Sequence, residues 1–399
     1  MGRDILNRVY FDAAATMPLD RRVFDAMVPL WKEDFGNAGS IHREGEAAKK
    51  TLARARKSCA DVLHAHADEI VFTSGGTESN NMAIMGAVLY ALKKYSGDYS
   101  KMHIVTSAIE HVSVLEVCRV LEKRGARVTY VPVNEHGVVE MHEMKSAIVK
   151  DTTLVSVMFA NNEIGTLQPI AEIAKHIRKV RKQEESGVYP LFHTDAAQAP
   201  VWCTLPVLKL GVDFLSIDGH KIYGPKGVGL LFVRRDIEIE PLLFGGMQEG
   251  GRRPGTEPLP LIVGLAKALE IAEIERVVSY ESMFSLRQYF IQELETKVPQ
   301  AKLNGDAQNC LPNIVNVSVP GMDSDFLVIA LDERGIACAS RSACHSNDDS
   351  SYVVAALGKG AAAAEGSLRF SMPKEATKKN VDDVVAALQE IVQETVTTK

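Results

Sequence analysis

The sequence predicts an α/β fold: a largely parallel sheet covered by helices on both faces, followed by a smaller α+β region. Two observations carry this. Between about Asp68 and Val233, seven short buried-type runs alternate with helix-length segments, which is the pattern of repeated βαβ units. Beyond about Pro260 that alternation stops and a long helical stretch takes over. At 399 residues the chain also exceeds the size at which a single core usually stops growing, so two domains are expected.

The elements follow in order. Glu69–Thr73 reads as a strand, and Thr77–Lys93 carries Met82, Met85, Val88, Leu89 and Leu92 at helical spacing. His103–Thr106 is the next strand, with a helix from Val112 to Arg124 behind it. The runs Arg127–Pro132, Leu154–Phe159, Pro190–His193, Phe214–Ile217 and Gly229–Val233 complete the set, with a helix over Ile170–Glu184 among them. Leu261–Val298 is one long helix. It leads to a strand at Ile314–Val317, a helix near Asp323–Arg334, a strand at Ser367–Phe370 and a terminal helix over Lys374–Glu394. Ala361–Ala364 reads as helix or loop filler.

Composition narrows the function classes. A hydrophobic fraction of 46% and a charged fraction of 24% are those of an ordinary globular enzyme. The net charge of −6 gives no reason to expect direct nucleic-acid binding. Six scattered cysteines contain no C-x-x-C pair, so reduced thiols in a cytoplasmic protein are expected, with no metal site. The first residues lack a signal-peptide core, and no apolar run is long enough to span a membrane.

Residues that carry chemistry gather just past the strand ends, where ligands of such sheets bind. Lys221 stands in Ser-Ile-Asp-Gly-His-Lys-Ile-Tyr-Gly-Pro-Lys-Gly (216–227), 26 positions after Asp195 in His-Thr-Asp-Ala-Ala-Gln. A lysine beside Gly and His after an apolar run is unusually placed for a solvated charge. Pyridoxal 5′-phosphate (PLP) needs such a pair: an amine for a Schiff base and a carboxylate to keep the pyridine nitrogen protonated. Ser74-Gly-Gly-Thr-Glu-Ser-Asn-Asn81 ends a strand and opens a helix, which makes Gly76 and Thr77 either an anion seat or a plain N-cap turn. His111 is placed to stack on a ring or move a proton, although a lone histidine also serves as a packing group. Asn162 lies in Asn-Asn-Glu-Ile-Gly at another strand end, as a ligand-binding amide or a turn residue. Arg369, in Ser-Leu-Arg-Phe-Ser, needs an anion if its strand is buried and is a surface charge otherwise. Cys344 lies among small polar residues with Arg341 and His345 close by, a setting for a reactive thiolate, whereas Cys338 looks structural.

Taken in order, from Val9-Tyr-Phe-Asp-Ala-Ala-Ala-Thr16 through Phe35-Gly-Asn37, Ser40-Ile-His42, Gly246–Thr256 and Asn304-Gly305 to the last helix, the chain resembles the cysteine desulfurases. These are PLP enzymes of fold type I in the class V aminotransferase superfamily. The Ser342-Ala-Cys344 loop is similar to that of the group used in iron–sulfur cluster assembly and nitrogen fixation. The resemblance implies a large PLP-binding domain over 15–260 with a seven-stranded sheet. It also implies a small α+β domain, from 1–14 and 261–399, that carries the cysteine loop. Lys221 would hold PLP and shuttle protons. His111 would stack on the ring, Asp195 would pair with its nitrogen, and Gln198 and Asn162 would contact its phenolic oxygen. Gly76, Thr77 and His220 would hold the phosphate, with Thr256 reaching across from a second subunit of a homodimer. Arg369 and Asn162 would grip the substrate carboxylate. L-Cysteine would yield L-alanine and a persulfide on Cys344, passed to an acceptor protein in cluster assembly or tRNA thiolation.

Four departures from the family pattern stand out. Asp218 occupies a position where the family usually has a small hydroxyl residue, and a carboxylate there repels a phosphate unless it points away or is protonated, so it is not expected to be a phosphate ligand. Arg341 stands where glycine is frequent, the loop after Cys344 is shorter, and the chain stops at Lys399 without an extended tail. The competing readings are another class V enzyme, a selenocysteine lyase or an aminotransferase, and a non-catalytic scaffold that keeps the fold.

Overall fold

The computed structural model describes residues 8–183, 189–340 and 350–397. The first part runs β1 (Val9–Tyr10), α1 (Arg21–Met27), α2 (Arg43–Leu63), β2 (Ile70–Thr73), α3 (Gly76–Leu92), β3 (His103–Ser107), α4 (Val112–Lys123), β4 (Arg127–Val131) and α5 (Met141–Ala147). Next come β5 (Leu154–Ser156), α6 (Ile170–Gln183), β6 (Leu191–Asp195), α7 (Val207–Leu210), β7 (Phe214–Asp218), β8 (Gly229–Val233) and α8 (Leu259–Lys297). The chain ends with β9 (Lys302–Asn304), β10 (Ile314–Ser318), α9 (Ser324–Glu333), β11 (Ile336–Ala337), α10 (Tyr352–Ala356), α11 (Ala361–Glu365), β12 (Ser367–Ser371) and α12 (Lys378–Thr397).

Seven strands form the central sheet in the order β2–β8–β7–β6–β5–β3–β4. The pairs β3–β4, β3–β5, β5–β6 and β6–β7 are parallel, as expected. β8 is antiparallel to both of its neighbours. It follows β7 directly through Gly219–Val228, a link too short for the crossover that parallel neighbours require. β2, β3, β5, β6 and β8 are buried along their whole length, which is why their sequences read as continuous runs.

The predicted run Leu154–Phe159 is a strand only to Ser156. Val157 N and Phe159 N still donate to His193 O and Asp195 O at 3.1 and 2.7 Å, so the chain follows β6 to its end. The terminal helix begins at Lys378, not Lys374. Pro373 precedes it, the Lys374 amide donates to Tyr223 Oη at 2.6 Å, and Thr377 and Asn380 bond reciprocally at the helix start.

A second, antiparallel sheet has the order β12–β10–β9, and β1 pairs with β11 in parallel. Bridges from Asp12 to Ser371 and from Ala339 to Arg369 join that pair to β12. The 39-residue α8 packs on α1, α2 and α12. Phe290, on α8, meets Phe11 and Phe370 edge-on with ring centroids 5.9 and 5.4 Å away. This aromatic cluster fixes the segment after β1 against β12, and both border the site.

Candidate active site

The carboxyl ends of β3, β5, β6 and β7 converge with the N-termini of α3 and α4 on one cavity of about 160 Å³. The order of the strands explains the location. β3 lies between β4 and β5, so successive connections leave in opposite directions and open a crevice. Gly76, Thr77, His111, Asn162, Asp195, Gln198, His220, Lys221 and Arg369 all line it. Two predicted residues remain. Thr256 is exposed, away from its own chain's cavity, and Cys344 lies outside the described residues, as does Arg341.

Lys221 ends a one-turn helix (Gly219–Lys221) beyond β7. Its Nζ donates to Ala14 O at 2.5 Å and Ala15 O at 2.7 Å, and Gln198 Nε2 donates to Ala14 O at 3.0 Å. The amine is therefore held against the segment after β1, at the rim of the cavity.

Asp195 is the last residue of β6 and is 7% exposed. Its Oδ2 accepts from Asn80 Nδ2 at 2.7 Å and its Oδ1 from Ala197 N at 3.0 Å. Asn80 Nδ2 also donates to Ser113 Oγ at 2.8 Å, and Ser113 Oγ lies 2.8 Å from His111 Nδ1. Since Ser113 Oγ accepts from Asn80, its own proton is directed to His111 Nδ1. A neutral His111 then carries its proton on Nε2. His111 also caps α4. The acid, the amide and the imidazole thus form one buried chain.

Arg369 is 1% exposed, because β12 is buried throughout. Nη2 donates to Asp12 Oδ1 at 2.8 Å and Nη1 to Asn162 O at 3.1 Å. Its Nε and Asn162 Oδ1 are buried with no hydrogen-bond partner among the described residues. Such orphans on a cavity wall are the places a ligand's polar atoms satisfy.

Asp218, at the end of β7, does not point away. Its Oδ2 accepts from the Gly76 amide at 2.8 Å. Burial raises its pKa, but the hydrogen bond and charge of His220, the Gly76 amide and Lys221 outweigh this and hold the carboxyl below the usual range.

Behind His111, Glu110 is fully buried. Ser107 Oγ and Met158 N donate to its Oε1 at 2.5 and 2.8 Å. Burial dominates these bonds and pushes its pKa up to about 8. The borders of the cysteine segment are anchored on either side. Ser340 Oγ donates to Asp325 Oδ1 at 2.9 Å, and Ala339 and Arg369 exchange backbone bonds at 3.1 and 2.6 Å. On the far side Ser351 Oγ donates to Glu163 Oε2 and Tyr352 Oη to Glu110 O, both at 2.6 Å.

Sequence reasoning did not find Asp12, Asn80, Glu110 or Ser113. Asn80 had a usable signal: it lies four residues beyond Gly76 on the helix that opens at the site, and so returns to the same face.

The aminotransferase class-V family model matches residues 9–384. The chain is 43% identical over 386 residues to cysteine desulfurase IscS of Dictyoglomus turgidum, covering 96% of this chain and 94% of the relative. It is 44% identical over 386 residues to cysteine desulfurase IscS of Methanosarcina thermophila, covering 96% and 92%. Among solved structures it is similar to a NifS-like protein, with a TM-score of 0.88, 36% identity and coverage of 97% of this chain and 99% of that one.

Proposed function

The chain belongs to the class-V aminotransferase family, and on that premise we propose that it is a cysteine desulfurase working from this cavity. The observation that carries the reading is the convergence of the Lys221 amine, the buried Asp195 carboxylate and Arg369 with its open Nε on one cavity. Relatives at 43% and 44% identity over almost the whole chain carry the name cysteine desulfurase, which favours this activity over a selenocysteine lyase or an aminotransferase.

Family membership implies PLP, and the ring and substrate ends of the cavity fit it. Asp195 offers a carboxylate already held by Asn80 and Ala197, and the orphaned Asn162 Oδ1 and Arg369 Nε offer unmet bonds. When bound, PLP supplies the electron sink that makes the substrate's Cα proton labile and its carbon–sulfur bond breakable. Asp195 would keep a proton on the ring nitrogen, and His111 would cover the ring face. Gln198 and Asn162 would serve the phenolic oxygen, while Gly76, Thr77 and His220 would serve the phosphate. Lys221 would anchor the cofactor, and its amine is the group placed to move the substrate's Cα proton. Arg369 binds the substrate carboxylate with Asn162 beside it.

The Cys344 thiolate attacks the substrate sulfur, forming a sulfur–sulfur bond as the carbon–sulfur bond breaks. The electron pair stays on carbon, which is protonated to give alanine. The persulfide then passes to an acceptor protein thiol. We place the large domain at 15–260 and the small one at 1–14 and 261–399. We also assign the chain to a homodimer in which Thr256 completes the partner's phosphate site. Ile41, Phe244 and Met247, exposed at 95%, 89% and 79%, supply apolar surface for a second copy to cover. No helix among the described residues is long and apolar enough to cross a membrane, and we place the protein in the cytoplasm.

The test is alanine formation from L-cysteine by the PLP-loaded protein and by Cys344→Ala. Alanine from the wild type alone supports the persulfide route. Alanine from both, with equal rates, refutes the role of Cys344, and alanine from neither refutes the activity.

A further inference from the structure

Asp218 is the one cavity residue that works against the site it borders. Gly76 opens α3, so its amide is one of the helix's unpaired N–H groups and sits at the positive end of the helix dipole. This is the place for an anion, and an anion of the chain itself is already there: Asp218 Oδ2 accepts from Gly76 N at 2.8 Å. Oδ1 accepts from His220 N at 3.3 Å and also lies 3.3 Å from His220 Nε2. The seat is filled to contact, since even a Cβ on Gly76 would stand 3.1 Å from Oδ2. The side chain is only 14% exposed, so water screens it poorly.

The titratable and charged groups around Asp218 come from the β7–β8 link and from α3. His220 and Lys221 lie on its own turn. Glu78, which accepts from Arg253 Nε at 2.9 Å, lies on α3, and Lys226 lies on the link to β8. The cations nearby hold one carboxylate comfortably. A second anion at the same amide meets the first one's charge and finds its hydrogen bond taken.

We propose that Asp218 is a resident occupant of the phosphate seat, a carboxylate that the cofactor's phosphate must dislodge from Gly76, so that this residue selectively weakens binding of the phosphorylated cofactor. The proposal rests on the PLP reading above. It predicts a chain that gives up its cofactor readily and is isolated partly empty.

The experiment compares wild type, Asp218→Ser and Asp218→Asn for equilibrium binding of PLP and of pyridoxal, which has the same ring and aldehyde but no phosphate. Both are followed by the visible absorbance of the bound ring, with Lys221→Ala as the blank. Asp218→Asn keeps the shape of the side chain if the serine variant folds poorly. The neutral variants are expected to bind PLP about tenfold tighter or more and pyridoxal as the wild type does. Inorganic phosphate alone is expected to raise the melting temperature of the apo variants and not that of the apo wild type. PLP binding that is unchanged or weaker in both variants overturns the proposal while leaving the PLP reading intact. If no form binds PLP, the PLP reading fails, and the phosphate melting series still decides the role of Asp218: apo variants unmoved by phosphate overturn it.

Discussion

Replacing Arg369 by lysine keeps the positive charge and removes the fork. In the native side chain one N–H of Nη2 is committed to Asp12 and one of Nη1 to Asn162 O, while Nε has no partner among the described residues. A lysine placed there has one nitrogen at the end of a longer stem and cannot hold Asp12, cap Asn162 O and reach a substrate carboxylate together. One charged hydrogen bond to the substrate is lost, worth about 1.5–3 kcal/mol, or roughly a 10- to 150-fold fall in kcat/KM for L-cysteine. The fall should lie mainly in KM, because the carboxylate is bound in ground and transition states alike. The assay is initial-rate alanine formation across L-cysteine concentrations, with cofactor occupancy from visible absorbance and a thermal melt on the same sample. A folded, fully loaded Arg369→Lys protein with wild-type kcat/KM would refute the assignment. So would a loss explained wholly by lower occupancy, which would make Arg369 a structural residue.

Three further outcomes are expected. Glu110 has a folded pKa raised to about 8, above its usual 4.5, so its contribution to stability is full below pH 4.5 and lost as pH rises through 8. Glu110→Gln should remove that loss between about pH 4.5 and 8 from a melting-temperature series, and an unchanged pH profile counts against a neutral, buried Glu110. Burial pushes the Cys59, Cys118, Cys203 and Cys338 thiols up to about 12 and raises Cys310 as well. Iodoacetamide at about pH 7.5 should therefore label the native protein rapidly at Cys344 alone, read by peptide mapping, and fast labelling of any of the other five contradicts this. Asn80→Ala leaves Asp195 Oδ2 without its amide donor. It should loosen PLP by about tenfold or more, and wild-type PLP affinity would show that the amide does not support the ring site.

The fold was most legible where burial is two-sided. β3, β6 and β8 are covered along every residue, so composition marked them within a residue or two. Direction was not written there: β8 is as fully buried as β6, and only the short link from β7 makes it antiparallel. α2 escaped because its buried stripe is largely Ala48, Leu52, Ala55, Cys59 and Leu63 among many charges, with His42 and His64 as unusual caps. At the site, Lys221, Asp195 and Arg369 could be recognised because a buried charge demands a partner. Asp12 could not, because its partner Arg369 stands 357 residues away and no local pattern links them. The direction of Asp218 was equally hidden, since the Gly76 amide that captures it lies 142 residues earlier.

The two anchors beside the cysteine segment set a radius for sulfur delivery. Ser340, fixed by Asp325 and by its neighbour's bonds to Arg369, is four residues before Cys344, and Ser351, fixed by Glu163, is seven after. At about 3.3–3.6 Å per residue, the shorter arm carries the Cys344 backbone no farther than roughly 13–14 Å from Ser340, whatever course it takes. That arm starts beside β12, where Ala339 bridges Arg369. On the proposed persulfide route, an acceptor must therefore bring its thiol within that reach of Ser340, plus the length of the cysteine side chain.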